Sequence, residues 1–353
     1  MSKKEKEFKD IYSHSKNGKG KKKRKKWSKL KKTLVISASS LGTLSVLVVC
    51  LFFYYFGGLN TQWLTDDLQA LGIDMDFKYS DKNVINIALF GVDSRTDENV
   101  GRSDAILIVS LDNEHNKVKL TSIARDTYCN IPGRDAGTKI NHAYAYGGAE
   151  LAIKTLNTIF DLDIQDYVTV NFNQMAEVID AVGGVSVPVS EAERVNANMF
   201  LPAGTSPITQ TGDSVLLNGG QAVAYSRIRK LDSDNMRTQR QRQVLSALFE
   251  KAKSLNALQY PEFARRLLPM VETSLNYGDI MGMTRILLGN PSMEQLSFPN
   301  EYSGSKGSTH SDGVWYYDYD LELAKEQLHK FIYDDLSLEA QYAQPESSAE
   351  SAA

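Results

Sequence analysis

The chain has 353 residues, room for one large domain or two modest ones, and 42% of them are hydrophobic, enough to build a core. Its two cysteines, Cys50 and Cys129, exclude a disulfide-stapled module, and neither has the neighbours of a zinc site. The formal net charge of -3 hides a split: residues 1–32 hold fifteen Lys or Arg against three acids, and the rest of the chain holds 25 against 40.

The basic segment, residues 1–32, has too few apolar residues to fold alone. From Thr33 to Thr65 no residue is charged, and Leu34 to Phe56 is strongly apolar. At about 1.5 Å per helical residue this run spans a hydrocarbon core of about 30 Å. It is longer than the apolar core of a cleaved signal peptide, and no Ala-x-Ala follows it. Residues 33–56 are therefore expected to form an uncleaved transmembrane helix, with Tyr54, Tyr55 and Trp63 near its outer end. The run Lys21-Lys22-Lys23-Arg24-Lys25-Lys26 directly precedes it and places residues 1–32 in the cytoplasm and 57–353 outside. The run is read as a topology signal that also meets anionic headgroups, with nucleic-acid binding and regulatory phosphorylation as lesser readings.

Residues 57–82 read as a linker with a short helical piece. Val84–Phe90 and Ala105–Leu111 are predicted strands, the second buried on both faces because it is almost wholly apolar. Lys117–Ile123 alternates polar and apolar and reads as a third strand, joined to the second by a turn at Asp112–Asn116. The spacing predicts a helix over Gly148–Phe160, a strand over Tyr167–Phe172, a helix over Asn173–Val182 ended by Gly183-Gly184, and a strand over Val185–Val189. Met236–Ser254 is the clearest helix, with Val244, Leu245, Leu248 and Ala252 on one side. Further helices are expected near Pro261–Val271 and Leu321–Ile332, and the tail 336–353 is expected to be disordered. The reading is an α/β domain over 83–335, a mixed central sheet flanked by helices.

Four clusters fall at strand ends or helix starts, where loops converge. The first joins Asp93, just after the first strand, to Arg102-Ser103-Asp104 at the start of the second. If the loop folds back, Asp93 and Asp104 are neighbours, and two carboxylates with few histidines nearby suit a hard oxygen-seeking ion, Mg²⁺ first, or Mn²⁺ in its place. The alternative is a pair of turn-capping aspartates. The second cluster is Arg125-Asp126, where an arginine after an apolar strand is either paired on the surface or aimed into a cleft. The third is Lys139-Ile140-Asn141-His142-Ala143-Tyr144, whose polar groups could cap the following helix; His142 reads as structural. The fourth is densest. Arg227 and Arg229 alternate with Ile228 on a predicted strand, and Asp232, Asp234, Arg237, Arg240, Gln241, Arg242 and Gln243 lead into the long helix. Of the basic residues from 194 to 242, all but Lys230 are arginine, the planar fork that matches phosphate oxygens. With a helix N-terminus nearby, this reads as a pyrophosphate site.

In this order these motifs, together with Val182-Gly183-Gly184-Val185, resemble the LytR–CpsA–Psr family of cell-wall glycopolymer ligases over roughly residues 84–256. Two departures, Ala124 where the family often has Pro and Arg242 where it often has Gln, matter little. The resemblance implies a polyprenyl-pyrophosphate-linked polysaccharide as donor, its lipid in an apolar pocket, and a peptidoglycan sugar hydroxyl as acceptor. It implies Asp93 and Asp104 as metal ligands, and Arg102, Arg125, Arg227, Arg229, Arg237, Arg240 and Gln241 around the pyrophosphate. Asp234, then Asp126, are the candidates for the base that takes the acceptor proton. Two other classes stay open here: a lipid-pyrophosphate hydrolase using water, and a membrane-anchored regulator whose outer domain senses and whose tail binds DNA or a kinase.

The topology is testable directly. Protease added to intact protoplasts should remove the large domain and spare the basic tail; protection of the large domain would contradict the assigned orientation.

Overall fold

The computed structural model describes residues 58, 60–93, 101–229, 231, 234–255, 259–304 and 306–343. The basic segment, the Thr33–Phe56 segment and residues 344–353 lie outside them. Among the described residues no helix is long and apolar enough to cross a membrane.

In chain order, β1 (Asn60–Thr61) is followed by β2 (Val84–Val92), β3 (Ser103–Asp112) and β4 (Lys117–Ile123). The short strands β5 (Tyr128–Cys129) and β6 (Thr138–Lys139) pair with each other before α1 (His142–Phe160). Next come β7 (Asp166–Asn171), α2 (Phe172–Ala181), β8 (Val185–Val189), α3 (Glu191–Asn198), β9 (Gly212–Leu217) and α4 (Gly219–Ser226). Then follow α5 (Asp234–Lys253), α6 (Tyr260–Leu267), β10 (Glu272–Thr273), α7 (Tyr277–Leu288) and β11 (Ser292–Phe298). The chain closes with β12 (Lys306–Thr309), β13 (Trp315–Asp318), α8 (Leu321–Tyr333) and α9 (Leu338–Tyr342). The helix expected from Gly148 starts earlier, at His142, with a kink at Gly147 and Gly148, where Gly148 has φ 62°.

The central sheet has seven strands in the order β1-β10-β7-β2-β3-β4-β11. Its pairings are mixed: β2 is parallel to β7 and β4 to β11, while β3 is antiparallel to both β2 and β4. So β2, β4, β7 and β11 all run one way and end at one edge of the sheet, and β3 starts there. That edge receives Asp93, Asp104, Arg125 and Phe172, each supplied by a different strand end.

One sheet face carries the main core, built with residues of α1 and α8 such as Ile153, Phe160, Leu328 and Phe331. Residues 60–82 belong to it and are not a linker. Leu71, Ile73, Phe77 and Tyr79 are buried, and Tyr79 stacks on Tyr333 with ring centroids 4.2 Å apart. Their apolar residues lack a regular period, which is why the sequence hides them. The other sheet face packs Ile87, Leu111 and Val118 against Ile286 of α7 and Phe249 of α5. A third cluster joins α2, the β8–β9 hairpin, α4 and α5 through Ile179, Val187, Val215, Tyr225 and Val244. At the C-terminal end, Leu338 of α9 packs on the main core, so residues 338–342 are ordered helix rather than disordered tail.

β4 departs from its alternating pattern: all of Val118–Ile123 is buried. Lys119 is fully buried, with Nζ 2.7 Å from Asp112, 3.0 Å from Asp335 and 2.9 Å from the Ile332 carbonyl near the end of α8. The carbonyl end of that helix favours a cation. Burial pushes the Asp112 carboxyl up, but hydrogen bonds from Lys119 and His115 outweigh it and hold the group below its usual value. A depressed carboxylate contributes stability above about pH 4, lost as pH falls through the folded value.

Lys119→Met should therefore destabilise by about 3–5 kcal/mol in urea unfolding at neutral pH, because it strands the buried Asp112 charge. The double change Lys119→Met with Asp112→Asn should regain much of that loss. Wild-type stability in the single variant would show that the network carries no weight.

Candidate active site

The shared sheet edge gathers charge from segments far apart in sequence. The Asp93 N–H donates to the Arg102 carbonyl at 3.4 Å, which closes the loop between β2 and β3. A register shift at Gly91/Val92 bends the end of β2 at this point. The Asp104 carboxylate accepts from Arg125 Nη1 through one oxygen and from Arg229 Nη2, at 3.1 Å, through the other. Asp126 continues the chain of charge: its Oδ1 lies 2.9 Å from Lys139 Nζ and its Oδ2 3.6 Å from Arg125 Nε.

Two adjoining cavities open here. One, of about 220 Å³, is lined by Asp93, Asp104, Phe172, Phe200, Arg227, Arg229, Arg237 and Gln241. The other, of about 320 Å³, is lined by Asp93, Arg102, Asp104, Arg125, Asp126, Lys139, Asn141 and Arg229. Asp93, Asp104 and Arg229 form their common wall. Among the described residues, six cationic side chains face three carboxylates around the pair, an excess of three positive charges. Like charges in a partly dry cleft repel, and a polyanion inside it would offset that repulsion.

Most residues singled out from the sequence meet here, but three readings change. Arg227 and Arg229 are not on a strand. Asn218 caps α4 with Gln221 in a capping box, the helix ends at Ser226, and Arg227 follows with φ -100°. The expected sidedness survives in another form: Arg227 and Arg229 are exposed to the cavities, while Ile228 between them is fully buried. Arg227 sits over the Phe172 ring, its Cζ 4.3 Å from the centroid. Arg240 does not line either cavity. It is 2% exposed, with Nε 2.8 Å from Glu193 of α3 and Nη1 3.3 Å from the Ile228 carbonyl, so it braces the Arg227–Arg229 segment from behind. Arg237 and Gln241, one helical turn apart on α5, do line the smaller cavity. Asp234 opens α5, and its side chain lies outside the described residues.

The Lys139–His142 segment also differs from expectation. Asn141 stands at the N-cap of α1 but its side chain makes no capping bond. Lys139 instead pairs with Asp126, and Asn141 lines the larger cavity. His142 binds Thr138 Oγ1 at 2.9 Å, and its pKa is lowered by burial first and then by the charges of Arg102 and Lys139. That suits the structural reading of His142 and leaves a weak proton acceptor. Cys129 is buried, and burial pushes its thiol up to about 12, so it is no nucleophile. Phe172 and Phe200 carried no signal in the sequence; they supply apolar wall beside the arginines.

The donor set fits a hard cation. Asp93 and Asp104 share both cavities, and Asn141 Oδ1 in the same lining is buried without a hydrogen-bond partner. Three oxygen donors with no sulfur or imidazole suit Mg²⁺ completed by water and phosphate oxygens.

Comparison with known proteins identifies the family. The sequence profile of the LytR_cpsA_psr family matches residues 60–331. A "Polyisoprenyl-teichoic acid--peptidoglycan teichoic acid transferase TagU" of Halalkalibacterium halodurans is 34% identical over 237 residues, covering 65% of this chain and 75% of that one. The structure "TagT bound to LIIa-WTA" superimposes with a TM-score of 0.59 at 30% identity, over 70% of this chain and 91% of the other. The structure of "LytR-CPS2A-psr family protein YwtF (TagT) with bound octaprenyl pyrophosphate lipid" gives 0.58 at 27% identity, over 77% and 99%. The match across residues 60–331, carried through the arginine-lined edge of the sheet, establishes that this chain belongs to the LytR_cpsA_psr family.

Proposed function

We infer that this protein transfers a glycopolymer of the teichoic acid or capsular polysaccharide type from a polyprenyl-pyrophosphate carrier to a peptidoglycan sugar hydroxyl. The observation that carries the reading is the triply positive excess around a pair of carboxylates at the sheet edge, a site shaped for a pyrophosphate and its counter-ion. A solved relative named with bound octaprenyl pyrophosphate and a curated relative named as a teichoic acid transferase supply the ligand and the reaction class. The apolar and basic N-terminal segments fit a single-pass anchor that holds the catalytic domain on the outer surface, where lipid-linked polymer and wall meet.

The chemistry needs charge neutralisation and alignment more than a protein nucleophile. The acceptor hydroxyl oxygen forms a bond to the phosphorus nearest the polymer. The bond from that phosphorus to the bridging oxygen breaks, lipid phosphate leaves, and a phosphodiester links polymer to wall. Arg227, Arg229, Arg237 and Gln241 hold one side of the pyrophosphate, and Arg102 and Arg125 the other. Asp104 orients Arg125 and Arg229 through one oxygen each, so their forks are set before the substrate arrives. Mg²⁺ (or Mn²⁺), held by Asp93 and Asp104 with Asn141 beside them, would neutralise phosphate charge. Asp126 is engaged by Lys139 and Arg125. Asp234 stays the first candidate for the base that takes the acceptor proton.

Asp93→Ala or Asp104→Ala should reduce transfer by at least about a hundredfold, the scale of losing one electrostatic contact to the transition state, and excess chelator should mimic either change. Full activity in chelator by an intact protein would reject the metal assignment. Arg227→Lys and Arg229→Lys should each slow transfer roughly ten- to hundredfold, the loss of one charge-assisted hydrogen bond. Both residues are exposed, so their melting temperatures should stay near wild type. Arg240→Lys should behave in the opposite sense, lowering stability by about 1.5–3 kcal/mol through its buried contact with Glu193. Lysine variants at 227 and 229 with wild-type rates would show that the arginines supply only a diffuse field.

A further inference from the structure

A second, larger cleft of about 720 Å³ shares α5 with the arginine-lined cavities but uses a different face of that helix. Arg237 and Gln241 point to the pyrophosphate side, whereas Thr238, Gln239 and Arg242 line the cleft. The two openings also adjoin along the chain after β4, where Ala124 lines the cleft and Arg125 the charged cavity. Gln295 and Ser297 at the end of β11, with Asn300 and Glu301 beyond it, form another wall. The volume lies within the range of about 300–1,000 Å³ usual for sites that enclose a small-molecule-sized group.

Its chemistry differs from that of the neighbouring cavities. Amides, the hydroxyls of Thr238, Ser297 and Tyr317 and the carboxylates of Glu301 and Glu339 replace the ring of arginines, a mixture of donors and acceptors that suits a polyhydroxylated ring. At the rim, the Trp315 indole lies against Gly307, so closely that an added Cβ there would meet ring atoms at 2.1 Å. Tyr317, a lining residue, meets Trp315 edge-on at 4.6 Å, and Trp315 is 41% exposed. An exposed indole beside a polar cleft is a stacking surface for the C–H face of a sugar. Arg242 supplies the one cation among these lining residues. Its Nη1 is buried without a hydrogen-bond partner, and burial pushes the guanidinium pKa down. A buried donor left unmet is costly, and an anionic oxygen in the cleft would meet it.

We propose that this cleft is the acceptor subsite, holding the sugar that supplies the attacking hydroxyl, with Trp315 against its ring and Arg242 on an acidic substituent. The proposal rests on the transfer reading above and adds to it the place where the second substrate binds. Peptidoglycan sugars fit that description, since they join amino-sugar rings to carboxyl-bearing substituents. A donor held by the arginines and an acceptor held one helix face away would meet at the same phosphorus.

The experiment uses the full-length protein, a short-chain prenyl-pyrophosphate-linked saccharide as donor and soluble peptidoglycan oligosaccharides as acceptor. Trp315→Ala and Arg242→Gln should each raise the KM for acceptor about tenfold and leave the KM for donor unchanged. Gln295→Ala, an exposed position on β11, repeats the test if either variant fails to fold. Calorimetric titration of the oligosaccharide without donor should show binding to wild type and weakened binding to the variants. Unchanged acceptor KM in folded variants would overturn the subsite while leaving transfer intact. A raised donor KM would overturn it too, assigning the cleft to the donor or its lipid. A wild-type protein that transfers to no peptidoglycan acceptor would overturn the transfer reading and this one with it.

Discussion

The carboxylate of Asp104 lies between two guanidiniums, Arg125 and Arg229, that come from positions 21 and 125 residues further along the chain. Without it, the cations at the sheet edge would repel one another across a partly dehydrated cleft. With it, two arginines from separate elements are tied to the start of β3, and both line the cavities. The same group is a candidate metal ligand, so one side chain sets both the arginine geometry and the place of the counter-ion. Stability and function meet here: among the described residues the site keeps an excess of positive charge that a polyanionic substrate offsets.

The fold serves that edge. Four strands running the same way end at it and β3 starts from it; the ends of β2, β3, β4 and β7 supply Asp93, Asp104, Arg125 and Phe172, and the segment between β7 and β10 brings in Arg227, Arg229, Arg237 and Gln241. Behind the site, Arg240 fastens α5 to α3 through Glu193 and reaches the Ile228 carbonyl, which fixes the backbone between Arg227 and Arg229. Elsewhere in the sheet, Lys119 joins Asp112 and Asp335 under the end of α8. His115 adds a third group to that cluster, and a lysine ammonium at its centre makes it an ion-pair network rather than a metal site.

Strongly patterned elements were legible in the residues. The strand at Lys117–Ile123, the strand at Val185–Val189 and the long helix α5 lie where periodicity places them. The gathering of Asp93, Asp104, Arg125, Arg227, Arg229, Arg237 and Gln241 was legible too, because the first five sit at or just past strand and helix ends and the last two share one face of the first turns of α5. Arginine in place of lysine marked the chemistry. What stayed hidden was packing that has no local period. Residues 60–82 insert Leu71, Phe77 and Tyr79 into the main core from an irregular path. Arg240 carries the same charge and motif position as its neighbours, yet burial against Glu193 gives it a structural task that only the tertiary fold reveals. The helix α4 had a signal, Asn218 followed three residues later by Gln221, but the alternation of Arg227, Ile228 and Arg229 suggested a strand in its place.

The arginine site is proposed to direct attack at the phosphorus nearest the polymer and release lipid phosphate. A donor with one isotope on the glycan, a second on the phosphate nearest the glycan and a third on the phosphate nearest the lipid tests this most directly. After incubation with purified peptidoglycan, the glycan and proximal-phosphate labels should enter the insoluble wall in equal amounts while the distal label stays with the lipid. Recovery of the proximal phosphate free in solution, or retained on the lipid, would contradict the account.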